Sequence, residues 1–176
     1  FRDGEFETWL EGEEIADGRN RPVPAGRRQG FDFWKVLECT HDYNDSFYFD
    51  ENDVKHTWDG YNAIAQTRLA QEYIRDHAQD RPFVLFLSWG PPHTPYQTAP
   101  QRYRQRFDPD DIILRANVPE DLANQARQEI AGYYAHMAAL DDCIGDLLET
   151  LEDVGIAQDT IFVFTSDHGD MLRSHG

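Results

Sequence analysis

Two continuous apolar runs are the strongest feature of the hydrophobic pattern in this 176-residue chain. Residues 83–87 have the sequence Phe-Val-Leu-Phe-Leu, and residues 161–165 have the sequence Ile-Phe-Val-Phe-Thr. Short runs of β-branched and aromatic residues without polar alternation are typical of strands that are buried on both faces. We therefore predict two central strands of a parallel sheet at these positions.

Apolar residues at steps of three and four predict two amphipathic helices. The first covers residues 61–77 and ends before Pro82. The second begins at Pro119 and continues to about Val154, and Gly155 occupies a position that favours a helix end. The apolar stripe of this long helix consists of Ala126, Ile130, Tyr133, Met137, Leu140, Ile144, Leu147 and Leu151.

The order of strand, loop, long helix and strand predicts the fold class. The chain is expected to be α/β, with a parallel-rich central sheet flanked by helices. Residues 48–56 add a loop or a short hairpin. Both strands would end at one edge of the sheet, where ligands bind in open α/β folds. The residues beside the apolar stripe of the long helix are interpreted as surface or helix-packing residues, namely Tyr134, His136, Asp141 and Asp142.

Composition and charge narrow the function classes. Apolar residues make up 40% of the chain and aromatic residues 13%, which indicates a globular domain. The net charge of −17 argues against nucleic acid and anionic membrane surfaces as partners, because both favour clustered Lys and Arg. No run of 18 apolar residues predicts a membrane span. Cys39 and Cys143 fit neither a metal spacing nor a disulfide framework, so we expect inert thiols.

The loop after the second apolar run carries the first candidate site. Asp167 and His168 follow the predicted strand directly, and Gly169 permits a sharp turn. A carboxylate beside an imidazole suits a divalent cation, so we predict Asp167 and His168 as metal ligands. The alternative is an ordinary strand-to-loop turn, in which Asp167 caps the backbone and His168 lies in solvent.

The loop after the first apolar run carries the second candidate, His93. Pro91, Pro92 and Pro95 restrict the backbone of residues 88–96, and a rigid frame helps to position a catalytic group. Because this loop and the Asp167 loop occupy equivalent positions, we predict His93 as a catalytic residue. The alternative is a proline-rich turn with an incidental histidine. His175 is close to the Asp167 loop in sequence and is interpreted as a loop residue.

These two loops also carry a family resemblance. Residues 164–172 and 174–176, together with the His-Thr-Pro loop, resemble the sulfatase family of the alkaline phosphatase superfamily. Residues 28–32 and 41–43 resemble a loop region of bacterial sulfatases and phosphonate monoester hydrolases. The Asp-His-Gly motif is specific when it is paired with the His-Thr-Pro loop, and either motif alone is weak.

The resemblance implies an enzyme that hydrolyses a sulfate ester of a small molecule or carbohydrate. Such enzymes hold one divalent metal, Ca²⁺ or Mg²⁺ and in some relatives Mn²⁺. Asp167 and His168 match the late ligand pair of that metal site, and His93 matches the histidine that contacts the sulfate or assists the leaving group as an acid. The nucleophile in these enzymes is a hydrated formylglycine made from the cysteine of a Cys-x-Pro-Ser-Arg motif.

The chain departs from this pattern at the nucleophile. Thr40 follows Cys39, and Cys143 falls within the long helix, so neither starts a Cys-x-Pro-Ser-Arg motif. The early aspartate pair and the late lysine of the family are also missing. We therefore expect residues 1–176 to be the central segment of one sulfatase-like catalytic domain, inactive alone, with the formylglycine supplied by a missing N-terminal region. The alternatives are a phosphonate monoester or phosphodiester hydrolase of the same superfamily, and a non-catalytic binding or scaffold module.

Overall fold

A computed structural model of the chain describes residues 21–37 and 40–176. Cys39, one of the two predicted inert thiols, lies outside the described residues. The chain divides into two compact units, Phe1–Asn62 and Ala63–Gly176. Cys143, in the second unit, is buried as a free thiol, and burial raises its pKa, which agrees with the expected inert role.

The first unit contains a short hairpin, one of the two interpretations of residues 48–56. Strands β1 (Phe47–Phe49) and β2 (Lys55–Thr57) pair in antiparallel fashion, and Tyr48 lies opposite His56. Asp50 closes the turn, because its Oδ1 accepts the backbone N–H groups of Asn52 and Val54 at 2.9 Å each. The same carboxylate lies 2.8 Å from Nε2 of His56, and these hydrogen bonds lower the pKa of Asp50 to about 2.

Arg28 organises the segment that precedes the hairpin. It is buried, its Nε donates to the carbonyl oxygen of Val23 at 3.0 Å, and its Nη1 donates to that of Glu51 at 2.8 Å. Its second amino group pairs with the carboxylate of Asp53. A buried guanidinium is stable here because acceptors satisfy its donors and neutralise its charge.

The second unit is built on two helices that match the sequence prediction closely. Helix α1 (Asn62–His77) begins at the last residue of the first unit, and the long helix α3 (Ala123–Asp153) follows a 3₁₀ turn at Glu120–Leu122. Gly155 ends the helix as predicted, with a left-handed φ of 76°. Between α1 and α3 lies the short helix α2 (Gln101–Arg104).

Helices α1 and α3 pack through an apolar cluster and a polar contact beside it. Ala70 and Ile74 of α1 join Leu147 and Leu151 of α3 in a buried cluster. Beside this cluster, Nε2 of Gln71 donates to the carbonyl oxygen of Asp146 at 3.1 Å and to Oγ1 of Thr150 at 2.8 Å. The helical periodicity in the sequence thus becomes the contact surface between the helices.

Residues 83–87 differ from the prediction. Alternate side chains, Phe83, Leu85, Leu87 and Trp89, pack on the α1–α3 cluster, whereas Val84 and Phe86 are 76% and 74% exposed. This alternation is that of an extended chain with one covered face. The prediction of a strand buried on both faces is therefore wrong for this run in the structure.

Residues 161–165 depart further from the prediction. Ile161 is 91% exposed and Val163 is 76% exposed, and the run belongs to no strand. In the described part of the chain, the sheet consists of β1 and β2 alone. A buried parallel strand requires neighbouring strands for its backbone N–H and C=O groups, and the described residues supply none to either run. The predicted parallel pairing is thus not formed within residues 21–37 and 40–176.

Candidate functional site

A hydrogen bond joins the two loops that are predicted to carry the site. The hydroxyl of Tyr96 donates to Oδ2 of Asp170 at 2.8 Å, across 74 positions of sequence. Thr94 and Tyr96 from one loop and Asp170 and Met171 from the other line a cavity of about 380 Å³. The structure therefore brings the proline-framed loop to the Asp-His-Gly loop.

His93 lies exposed on the proline-framed loop. Its Nδ1 is 2.8 Å from the carbonyl oxygen of Thr94, and its backbone N–H donates to the carbonyl oxygen of Gly90 at 3.3 Å. The peptide bonds before Pro92 and Pro95 are cis. A contact with a carbonyl oxygen places the ring proton on Nδ1, so that Nε2 carries the lone pair of the neutral imidazole.

Asp167 and His168 lie side by side on the second loop and are exposed, with 45% and 67% of their side-chain surfaces accessible. Oδ1 of Asp167 accepts the backbone N–H of His168 at 2.9 Å. Nδ1 of His168 is 3.1 Å from the carbonyl oxygen of Gly169, which leaves Nε2 as the basic nitrogen. This Nε2 lies 3.6 Å from Oδ2 of Asp167.

These two side chains fit part of a metal shell. Two ligand atoms bound to one cation at about 2.1–2.4 Å and at a right angle are roughly 3.2 Å apart, close to the spacing of Oδ2 and Nε2. Ca²⁺ takes about six to eight oxygen ligands, however. Within the described residues, no group of three or more His, Cys, Asp and Glu side chains could hold a metal ion. Asp167 and His168 therefore form at most two positions of such a site.

Helix α3 supports the proline-framed loop at Gly132. A Cβ placed on Gly132 would lie 2.4 Å from the carbonyl oxygen of Tyr96 and 2.8 Å from its carbonyl carbon. The neighbouring Tyr133 packs edge-to-face against the Tyr96 ring, with the ring centroids 6.0 Å apart. The loop backbone thus rests directly on the helix, at a distance that only glycine permits.

His136 supports the same loop one turn further along α3. It is fully buried, and its Nε2 lies 3.3 Å from the carbonyl oxygen of Pro95 and 3.4 Å from Oγ1 of Thr98. Burial lowers the pKa of His136 to about 4, so the ring is neutral at pH 7. Of the two interpretations made from the sequence, helix packing is confirmed and a surface position is wrong.

Glu129 anchors the chain that follows the second loop. Arg173 donates to it twice, from Nε at 2.8 Å and from Nη2 at 2.7 Å, and this pair lowers the pKa of Glu129. Leu172 and Arg173 have left-handed φ angles of 48° and 66°, which cost energy for residues with a Cβ. The bidentate ion pair holds this strained turn against α3.

One face of α3 therefore contacts both loops. Glu129, Gly132, Tyr133 and His136 are spaced i, i+3, i+4 and i+7, which places them on the same side of a helix. None of the four was identified as part of a site from the sequence. Gly132 offered a weak signal, because glycine within a helix costs about 1 kcal/mol relative to alanine. Gly145 of the same helix has no neighbour within 4 Å, so a glycine alone does not identify the contact.

The remaining candidates contact other parts of the second unit. Nε2 of His175 lies 3.0 Å from Nδ2 of Asn117, as expected for a loop residue. Asp142 accepts a hydrogen bond from the buried Tyr103 hydroxyl at 2.7 Å, which makes it a helix-packing residue. Among the described helices, none is both long and apolar enough to cross a lipid bilayer.

Comparison with known proteins identifies similar chains. A family model described as Sulfatase matches residues 9–176. The ulvan-active sulfatase of Formosa agariphila is 40% identical over 99% of this chain and 35% of its own length. The human N-sulphoglucosamine sulphohydrolase is 27% identical over 82% of this chain and 32% of its own length. Among solved structures, the yidJ sulfatase of Bacteroides fragilis superposes with a TM-score of 0.81 at 29% identity, covering 88% of this chain and 36% of that one.

These comparisons confirm the predicted α/β fold class, since the matching structure is a sulfatase and covers most of the chain. The chain spans about a third of the length of the relatives it matches.

Proposed function

Since the family model matches nearly all of it, this chain belongs to the sulfatase family, and we propose that the protein that carries it hydrolyses sulfate esters. The observation that best supports this proposal is the hydrogen bond between Tyr96 and Asp170. It joins the loop of His93 to the loop of Asp167 and His168, which are the residues that the resemblance assigns to sulfate and metal. We propose further that residues 1–176 form the central segment of a single catalytic domain.

In this proposal Asp167 and His168 supply two ligands to a divalent cation, Ca²⁺ or Mg²⁺ and alternatively Mn²⁺. The cation, when bound, offsets negative charge on the sulfate oxygens. The two ligand atoms are 3.6 Å apart and belong to exposed side chains, so other parts of the protein can complete the shell. The formylglycine nucleophile would likewise come from residues outside this chain.

His93 would act on the sulfate ester itself. Breaking the bond between sulfur and the alcohol oxygen leaves an alkoxide, which requires a proton. With Nδ1 engaged by the carbonyl oxygen of Thr94, Nε2 is the nitrogen that can contact a sulfate oxygen or, once protonated, donate to the leaving oxygen. The rigid frame of residues 88–96 keeps this nitrogen in place without the substrate having to order it.

We propose a carbohydrate sulfate ester as the substrate class. The Formosa relative is described as active on ulvan. The human relative is named for a sulfated sugar, N-sulphoglucosamine, in which the sulfo group is bound to nitrogen, so it supports the carbohydrate and not the ester. Small-molecule sulfate esters are the alternative class, and a panel of both kinds tests this choice. A preference for carbohydrate esters in kcat/KM supports the proposal, and a preference for aryl sulfates contradicts it.

The test of the activity uses His93→Ala and Asp167→Ala in the full-length protein. Asp167→Ala should abolish turnover of a sulfate ester and reduce bound metal, whereas His93→Ala should reduce turnover with metal content unchanged. Asp153→Ala, which alters an exposed carboxylate at the end of α3, is the matched control and should change neither quantity. Retained turnover in Asp167→Ala would remove it from the metal site.

Activity on other esters separates the alternatives. Faster turnover of phosphonate monoesters or phosphodiesters than of sulfate esters would favour a hydrolase of those substrates in the same superfamily. Absence of turnover on all of them, with metal bound, would favour a non-catalytic binding module.

A further inference from the structure

We propose that Tyr96 and Asp170 are positioning residues, whose hydrogen bond sets the separation between His93 and the Asp167–His168 pair. The inference rests on the proposed function, because it assumes that these three side chains act on one substrate. Neither Tyr96 nor Asp170 is expected to touch the reacting atoms. Their role would be to fix where the two loops lie relative to each other.

The first argument is proximity along the chain. Tyr96 is three residues after His93, and Asp170 is two residues after His168. A short connection transmits displacement, so a change in the Tyr96–Asp170 contact moves the neighbouring side chains with it. A misplacement of about 1 Å can reduce the rate of an enzyme by roughly 10²-fold.

The second argument is that α3 holds both partners of the hydrogen bond. The backbone of Tyr96 lies against Gly132, and its ring packs on Tyr133. Three residues after Asp170, Arg173 forms its bidentate pair with Glu129. The hydrogen bond therefore links two segments that are each fixed to one rigid helix, which gives the loop-to-loop distance a defined value.

The third argument is accessibility. Tyr96 and Asp170 both line the cavity of about 380 Å³, so water can replace a lost partner there. Removing the hydroxyl of Tyr96 or the carboxylate of Asp170 should therefore relax the loop geometry without leaving a buried polar group unsatisfied. This separates a positioning effect from a general loss of stability.

The test is a double-mutant cycle in the full-length protein with a sulfate ester as substrate. Tyr96→Phe and Asp170→Ala should each lower kcat roughly tenfold with KM within about twofold, and the double variant should be no slower than either single variant. Asp170→Asn keeps a carbonyl oxygen that can accept the Tyr96 hydroxyl, so it should retain kcat within about threefold.

Tyr134→Phe is the matched control. Tyr134 is an exposed tyrosine of α3, and its ring packs on Phe107. It should leave kcat unchanged. Hydrogen exchange provides a readout besides activity. Tyr96→Phe should accelerate exchange in peptides that cover residues 166–170 and leave peptides from α1 unaffected.

Three results would overturn the inference. They are kcat within twofold of the wild type in both single variants, fully additive losses in the double variant, and a loss in Asp170→Asn as large as in Asp170→Ala. Any of these results would leave the proposed function intact, provided that turnover is abolished in Asp167→Ala and reduced in His93→Ala. If His93→Ala and Asp167→Ala retain full activity, the proposed function itself fails.

Discussion

Gly132 is the position where one added methyl group tests the packing of the site most directly. In Gly132→Ala, the new Cβ would lie 2.4 Å from the Tyr96 carbonyl oxygen, 2.8 Å from its carbonyl carbon and 2.9 Å from its Cβ. Ordinary contacts of this kind begin near 3.4 Å. Since two of the three atoms belong to the backbone, a side-chain rotation cannot relieve the clash, and α3 and the loop must separate by about 1 Å.

Two opposing effects determine the stability of this variant. Overpacking of a tight contact costs about 1–3 kcal/mol. Replacing glycine by alanine within a helix gains about 1 kcal/mol. The net expectation is a loss of up to about 2 kcal/mol in the free energy of unfolding.

Gly145 provides the matched control on the same helix. It is exposed, and a Cβ there would have no neighbour within 4 Å, so Gly145→Ala should stabilise the protein by about 1 kcal/mol. Because the propensity gain is common to both variants, the difference between them, about 1–3 kcal/mol, isolates the contact with Tyr96.

Urea unfolding of the full-length protein measures this difference, and steady-state kinetics measures its consequence. A shift of about 1 Å at Tyr96 should reduce kcat by roughly tenfold or more in Gly132→Ala, while Gly145→Ala should match the wild type. Equal stability and equal kcat in the two variants would show that the loop does not rest on Gly132, and the reasoning from α3 would then be refuted.

Three further predictions concern ionisable side chains that are buried or paired. Burial lowers the pKa of His136 from 6.5 to about 4, so the unfolded state binds a proton at a higher pH than the folded state does. The protein should therefore keep its full stability above pH 6.5. Between pH 6.5 and 4 it should lose about 3 kcal/mol of unfolding free energy through this residue. The difference in unfolding free energy between wild type and His136→Gln, measured from pH 7.5 to 4, cancels other groups, and a pH-independent difference would contradict the prediction. Arg173→Gln should release the turn from Glu129 and accelerate hydrogen exchange in residues 170–176, with no change in α1; unchanged exchange would mean that the pair does not hold the turn. The pKa of Asp50 is lowered to about 2, so its carboxylate should stabilise the hairpin at neutral pH and lose this effect as the pH falls from about 4 to 2. Circular dichroism of wild type and Asp50→Asn over this pH range measures the effect, and identical acid profiles would contradict the prediction.

Local patterns in the sequence were sufficient for the two long helices, whereas residues 48–56 were left open between a loop and a short hairpin. The three- and four-residue spacing located α1 within one residue of its observed start, and Gly155 marked the end of α3 correctly. These features depend on contacts within a few residues, so the sequence of each segment contains most of the information.

The apolar runs could not be assigned in the same way. Phe83 and Ile161 start runs of equal hydrophobic character, yet the first run covers the α1–α3 cluster with alternate side chains and the second is exposed throughout. Whether an apolar run forms a paired strand depends on neighbours that are distant in sequence. Composition alone carries no information about those neighbours.

The candidate site shows the same division between local and distant information. His93, Asp167 and His168 could be proposed from their residue types and from their positions after apolar runs, and their roles stay predictions. The Tyr96–Asp170 contact joins residues 74 positions apart and left no pattern in the sequence. His136 was interpreted partly as a surface residue, because a lone polar residue beside an apolar stripe does not reveal that its ring reaches a loop carbonyl.

Helix α3 nevertheless contacts both of these loops with residues that are close together in sequence. The residues that hold the two loops recur at Glu129, Gly132, Tyr133 and His136, so within the described residues both loops contact one face of a single helix. A helical face is rigid along its axis, and substitutions at Gly132 and His136 should therefore alter kcat through the position of the proline-framed loop. Substitutions on the opposite face, such as Gly145→Ala, should alter stability alone.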